Sequence, residues 1–273
     1  MSVKKIKGAV LGYPIEHSLS PLLHSSAYKL LGIQGDYSAI EVRSGELKQF
    51  FLENESDFDY LSLTMPLKEE ILELDLPITI DNLGKRIQSI NTLVKVNGSW
   101  SATSTDGSGF RKALAKNGFD HFERVLILGA GGTARAVAGA LDEIADSVDV
   151  MRRSVRRSPA IAACFTKIEC DFLDWNDEID LSGYDLVVNT TPSGAADLVA
   201  GNLGSITTGV LFDVLYKPWP TLLARRWSDS GGRIISGLDL LLYQGIDQIN
   251  MISPMGDRLI DEDLRITLLN AVI

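Results

Sequence analysis

The chain has 273 residues, enough for two domains of ordinary size or one large one, and with 45% hydrophobic residues it can bury a full core. A net charge of -10 argues against a general nucleic-acid binder, and no apolar run approaches the roughly 20 residues that span a bilayer. Two cysteines, Cys164 and Cys170, are too few for a disulfide framework and lack metal-ligand spacing, so no metal site and a reduced cytoplasmic setting are expected.

The basic N-terminus precedes only a short apolar segment, Ile6 to Leu11, which reads as a first strand ending at Gly12 and not as a signal peptide. Pro14 and Pro21 then confine residues 15–20 to extended or turn conformations. Ser20-Pro21 has the form of a helix N-cap followed by Pro at the first helical position, with Leu22, Leu23, Ala27, Leu30 and Leu31 as the apolar face of that helix. Ser18 and Ser20 lie two apart, so on an extended loop their hydroxyls share a side and suit a carboxylate or a polyol. Capping and turn chemistry explain the same pair equally simply.

Tyr37 to Val42 reads as a second strand, Gly45 to Leu52 as a short helix and Asp59 to Leu63 as a third strand. That strand runs into Thr64-Met65-Pro66-Leu67-Lys68, a strand end opening into a helix start, where α/β sheets place ligand groups. Lys68 is either such a group or a solvated surface charge. Ile87 to Val96 reads as a strand entrance with Asn91-Thr92 among apolar neighbours, and a buried Asn there needs hydrogen-bond partners. Asn97-Gly98 is a hairpin turn signal. The return strand, Trp100 to Thr103, leads to Asp106, a cap or turn carboxylate before the helix Phe110 to Asn117.

From Val125 the pattern is strand, glycine turn, helix. Val125 to Leu128 is a short apolar run, Gly129, Gly131 and Gly132 follow, and Thr133 to Leu141 is an Ala-rich helix. Gly129 permits the tight turn, Gly131 lets backbone approach a pyrophosphate, and Ala134 is small enough for close helix–strand packing. The next strand, Ser147 to Met151, is followed not by an acidic residue for a ribose hydroxyl but by Arg152-Arg153-Ser154-Val155-Arg156-Arg157. Guanidiniums around a hydroxyl suit a 2′-phosphate, which favours NADP over NAD, although a solvated basic turn has the same composition. Leu186 to Asn189 and Val210 to Val214 are further strands, Ile234 to Gly237 a last short one, and Leu238 to Ile249 and Asp261 to Val272 are helices.

The segments GYPIEHSLSP, TMPLKEE, SINTL, STDGSGF, ILGAGGTARAV, RRS, NTTPSG, DVLYKP and GLDLLLYQG occur in this order along nearly the whole chain, and on them the sequence resembles the shikimate dehydrogenase family. The resemblance implies an α/β fold of two domains. These are an N-terminal α/β substrate domain (1–106) and a Rossmann-type, doubly wound NADP domain (107–237), with C-terminal helices (238–273) returning to the first and the active site in the cleft between. It implies Lys68 and Asp106 as the catalytic pair, Ser18 and Ser20 on the carboxylate of shikimate, and Thr64, Asn91 and Gln244 on the ring hydroxyls with Tyr216 close by. For NADP it implies Gly129, Ala130, Gly131, Gly132, Thr133 and Ala134 at the glycine turn. Arg153 would hold the 2′-phosphate flanked by Arg152, Ser154 and Arg157, and Thr190 and Gly237 would lie on the nicotinamide side.

The implied reaction is the NADPH-dependent, reversible reduction of 3-dehydroshikimate to shikimate in aromatic amino-acid biosynthesis. The implied molecule is a cytoplasmic monomer or homodimer whose partners are these small molecules, without nucleic acid or membrane. Ser62 stands where the family commonly has Asn, Asp239 follows Gly237-Leu238, and Met151-Arg152 precedes the phosphate arginine in place of the commoner Val-Asn. These departures leave room for a quinate/shikimate dehydrogenase with broader substrate or cofactor use. A non-catalytic sensor of the same fold is opposed by retention of both Lys68 and Asp106, and a folate-linked dehydrogenase by the HSLSP loop.

Overall fold

The computed structural model describes residues 5–203, 209–253 and 261–271. Val272, the expected end of the closing helix, lies outside them. The chain forms two compact units, one of Met1–Gly109 with Leu241–Ile273 and one of Phe110–Leu240.

The first unit begins β1 (Ile6–Gly12), α1 (Ser20–Leu31), β2 (Gly35–Glu41), α2 (Leu47–Asn54), β3 (Tyr60–Leu63) and α3 (Leu67–Glu70). It continues β4 (Ile78–Ile80), α4 (Asn82–Ile87), β5 (Thr92–Val96) and β6 (Ser99–Thr103), and α5 (Asp106–Lys116) starts at its end. The strands make one mixed sheet in the order β2-β1-β3-β5-β6-β4, parallel at β2-β1-β3 and antiparallel at β3-β5-β6. Asn97 and Gly98, both at positive φ, close the β5–β6 hairpin as that dipeptide predicts. One face of the sheet packs Leu61, Leu63, Leu93 and Trp100 with Phe51 from α2 and Leu67 from α3.

The other face differs from the sequence expectation for α1. Its buried side is Ser20, Leu23, His24, Ala27 and Tyr28, while Leu30 is exposed. The reason is an aromatic cluster: His24 stacks on Tyr37 with ring centroids 3.9 Å apart, its Nδ1 bonds the Tyr60 hydroxyl at 2.8 Å, and Tyr28 and Tyr60 share a hydrogen bond. Ring stacking together with the hydrogen bonds among His24 Nδ1, Tyr60 and Tyr28 turns this face inward in place of the terminal leucine. A second correction concerns the helix start. Leu19 holds the cap position, Ser20 is already helical, and no side chain caps the helix. Ile87, the expected start of a strand entrance, is the last residue of α4; residues 88–91 are a turn and irregular backbone, and the strand proper starts at Thr92.

The second unit contains the rest of α5, then β7 (Phe122–Leu128), α6 (Gly132–Leu141), β8 (Ala145–Arg152), α7 (Ser158–Ala162) and β9 (Cys170–Asp174). β10 (Leu186–Asn189), β11 (Val210–Asp213), α8 (Leu222–Asp229) and β12 (Arg233–Ser236) complete its sheet. α9 (Gly237–Ile252) carries the chain back to the first unit, and α10 (Asp261–Asn270) belongs to that unit. All strands of the second sheet are parallel, in the order β12-β11-β10-β7-β8-β9. This is the doubly wound arrangement, and its order reverses between β7 and β10. Val125 to Leu128 are fully buried, as a central parallel strand covered on both faces requires. Ala134 to Leu141 of α6 are also all buried, and the four alanines and Gly139 among them let the helix lie close on the sheet.

Candidate active site

In the first unit, β3 ends at Leu63, and the Thr64 carbonyl accepts from Leu67 N–H to start α3. This short turn sets Lys68 in place, and its carbonyl accepts from Ile90 N–H at 2.8 Å, tying α3 to the segment that carries Asn91 into β5. The Lys68 ammonium donates to Asp106 Oδ2 in a part-buried ion pair whose side chains are 15% and 5% exposed. Asp106 stands in the first turn of α5, where the helix N-terminus favours a carboxylate. Lys68 is therefore not a solvated surface charge, and Asp106 has a partner beyond its helix start.

Asp106 Oδ1 accepts from the Asn91 amide at 2.7 Å. The same Nδ2 faces Thr105 Oγ1 at 3.0 Å and Gln244 Oε1 at 3.2 Å, while Asn91 Oδ1 accepts from Thr105 N–H and Thr92 Oγ1, both at 2.8 Å. An amide nitrogen has two hydrogens, so Asn91 has none to spare for a further acceptor. Gln244 Nε2 donates one hydrogen to the Leu241 carbonyl. α9 comes this close because Gly109 lacks a Cβ, which would lie 2.6 Å from the Gln244 nitrogen. Thr64 is half-buried beside Gly12, whose missing Cβ makes room for the Thr64 methyl. Ser20 is buried, and Ser18 Oγ accepts its N–H at 3.3 Å, so the turn chemistry foreseen for this pair occurs.

In the second unit the carboxyl ends of β7 and β10 meet at the switch point. Gly129 has φ +108°, and a Cβ there would lie 2.6 Å from Thr190 Oγ1, which itself donates to the Leu128 carbonyl. Gly131 differs: a Cβ built on it meets nothing within 4 Å, and the next residue opens α6 with no side chain capping it. Open space, uncapped N–H groups and Ala130 and Ala134 packed behind them form a cradle that fits a pyrophosphate. Thr133 lies half-buried at its rim.

β8 runs on through Arg152, and Arg153 and Ser154 follow exposed at its end. Arg157 Nη1 donates to the Ala130 carbonyl at 3.2 Å, binding this turn to the glycine loop. Arg152 is a different case. It is buried, pairs with Asp174, and donates to Ser158 Oγ at 2.9 Å and the Leu173 carbonyl at 3.2 Å. Its guanidinium holds β9 and α7 to β8, a use invisible until β9 is known to pair with β8. Gly237 is buried against the Val214 carbonyl, and Tyr216 follows β11 half-buried.

Sequence reasoning passed over Thr92, Thr105 and Gln248 in the first unit and Asp213 in the second. Asp213 accepts from Asn189 Nδ2, Thr221 Oγ1 and Leu215 N–H at 2.7 to 3.1 Å, and burial raises its carboxyl above the ordinary range despite these bonds. It fastens the loops after β10 and β11. The available signal was a single acid closing the apolar run VLFD.

A parallel sheet with a glycine-turn cradle and a basic turn after its second strand, joined in one chain to an α/β unit bearing an ammonium–carboxylate pair, is the make-up of a dinucleotide-dependent α/β oxidoreductase. A family model described as the shikimate dehydrogenase substrate binding domain matches residues 10–93. The chain is 34% identical to the shikimate dehydrogenase (NADP(+)) of Methanococcoides burtonii over 248 residues, 88% of this chain and 89% of that one. This protein belongs to the shikimate dehydrogenase family. Its fold matches the crystal structure of Mycobacterium tuberculosis shikimate dehydrogenase with a TM-score of 0.85 at 31% identity, covering 97% of this chain and 99% of that one. A Thermus thermophilus shikimate 5-dehydrogenase solved with NADP(H) and shikimate is similar at a TM-score of 0.79 and 30% identity, covering 96% and 99%. Among the described residues no helix is long and apolar enough to cross a membrane.

Proposed function

We propose that the protein catalyses the NADPH-dependent, reversible reduction of 3-dehydroshikimate to shikimate. The observation that carries this reading is the part-buried Lys68–Asp106 pair, built by two separate elements and braced by Asn91. Binding a metabolite does not call for an ammonium held against a buried carboxylate, whereas such a pair is suited to proton transfer to a carbonyl oxygen.

When bound, NADPH supplies the hydride, and the glycine cradle, Arg153, Ser154 and the Thr190 side of the switch point are the residues that hold it. Lys68 donates a proton to the oxygen of the carbonyl being reduced and stabilises its developing negative charge. Asp106 keeps the ammonium aimed, and Asn91 fixes the carboxylate by bonding its other oxygen. Ser18 and Ser20 take the substrate carboxylate. Thr64, Gln244 and Tyr216 take ring hydroxyls, and Asn91 joins them only by releasing one of its present acceptors. The molecule works in the cytoplasm as a monomer or homodimer, with no nucleic-acid partner. Its net charge of -10 and two free cysteines support that setting.

The test is an initial-rate assay of shikimate and quinate, each with NADP and with NAD. Shikimate with NADP is expected to give the highest kcat/KM. No shikimate-dependent reduction of NADP would end the proposal, and a preference for quinate or NAD would move it to the broader enzyme.

A further inference from the structure

Gln248 lies one helical turn beyond Gln244 on α9, so the two carboxamides project from the same face. α9 reaches the sheet here because Gly245 packs directly on Leu23 of α1 without a Cβ. The Gln248 side chain is 2% exposed. Its Nε2 donates to Thr92 Oγ1 at 2.9 Å and lies 3.4 Å from the Asn91 carbonyl, and its Oε1 accepts from Ser62 Oγ at 3.0 Å. Ser62 in turn accepts from the Tyr37 hydroxyl at 2.7 Å.

These bonds have a direction. A carboxamide nitrogen can only donate, so Thr92 Oγ1 must accept from Gln248, and its one hydrogen is left for Asn91 Oδ1. With Oδ1 engaged by Thr92 and by Thr105 N–H, Asn91 is fixed with its NH2 toward Asp106. If the Asn91 amide turned over, a carbonyl oxygen would face a carboxylate, and the carboxylate would lose the bond that sets its orientation toward Lys68. We propose that Gln248 is a positioning residue for the reaction: through Thr92 it fixes the orientation of the Asn91 amide and thereby of the Asp106 carboxylate. The chain of groups does not relay protons, because two of its links are carboxamides; it transmits orientation only. The inference rests on the shikimate dehydrogenase reading for its kinetic consequence, but its structural core does not.

The test compares Gln248→Met and Thr92→Val, which keep bulk and remove the bonds, singly and together. Each is expected to lower kcat for shikimate oxidation roughly tenfold, the scale of one buried hydrogen bond withdrawn from a network, with a displaced pH profile of kcat and an unchanged Kd for NADP. Because both act through one link, the double variant is expected to lose no more than the worse single. Multiplicative losses, or a pH profile of kcat that does not move in Gln248→Met, overturn the proposal. Should Gln248→Met not fold, Thr92→Val alone decides, and full kcat with an unmoved profile in it refutes the idea. A wild-type protein inactive on shikimate would sink the functional reading and leave this one to NMR. The Asn91 side-chain amide resonances are expected to shift in both variants, and unshifted resonances reject the positioning role.

Discussion

Replacing Lys68 by Met removes the ammonium while keeping most of the stem, so packing is conserved and the effect is electrostatic. Asp106 is then a carboxylate with a 5% exposed side chain, still bonded by Asn91 but without its counter-charge. Breaking a buried pair in this way costs about 3–5 kcal/mol of stability. Loss of the proton donor is expected to lower kcat by about 10²–10⁴-fold, a barrier increase of roughly 3–5 kcal/mol. The double variant Lys68→Met/Asp106→Asn separates the two effects, since a neutral amide at 106 leaves no charge buried. Stability should return toward wild type while turnover stays low. The assay pairs steady-state formation of NADPH from shikimate with chemical denaturation and a calorimetric Kd for shikimate. Lys68→Met with more than about a tenth of wild-type kcat would refute the catalytic role, since even the lower end of general acid catalysis is about 10²-fold. A double variant as unstable as the single would refute the burial argument.

Other expectations follow from the geometry. Arg153→Ala should raise KM for NADP far more than for NAD with little effect on melting, whereas Arg152→Ala should lower stability, because it abandons Asp174, Ser158 and the Leu173 carbonyl; equal effects on both cofactors in Arg153→Ala would remove the phosphate assignment. Gly131→Ala should fold normally yet bind NADP weakly, since its Cβ enters open space on the pyrophosphate side, while Gly129→Ala should also destabilise, meeting Thr190 at φ +108°; matched melting temperatures in the two variants would contradict this. His24 is buried and neutral, desolvation lowering its pKa to about 3 against the opposing contact from Gln248. The unfolded chain therefore binds a proton that the folded one refuses below about pH 6.5, and stability should fall by about 2 kcal/mol from this group between pH 8 and pH 5. Denaturation midpoints measured across that range should fall less steeply in a folded His24→Phe variant, and identical slopes would show that His24 is not the group responsible.

The glycine turn, the flanking strand and helix and the basic run after the second strand were legible because each depends on local chemistry. Gly129 supplies a positive φ, Val125 to Leu128 form an unbroken apolar run, and no acid closes the next strand. The Lys68 and Asp106 positions were likewise set by a strand end and a helix start. What the sequence did not contain was the partnering. Arg152 and Arg153 are adjacent and chemically identical, yet one is consumed by Asp174 and the other is exposed, which depends on where β9 pairs. α1 turned His24 and Tyr28 inward in place of Leu30 because Tyr37 and Tyr60, from two other strands, offered them stacking and hydrogen bonds. Sequence by itself determined which backbone conformations and which apolar faces were available. The tertiary structure decided which polar atoms satisfy one another, because a hydrogen bond between Gln248 and Thr92 joins residues 156 positions apart and has no local trace.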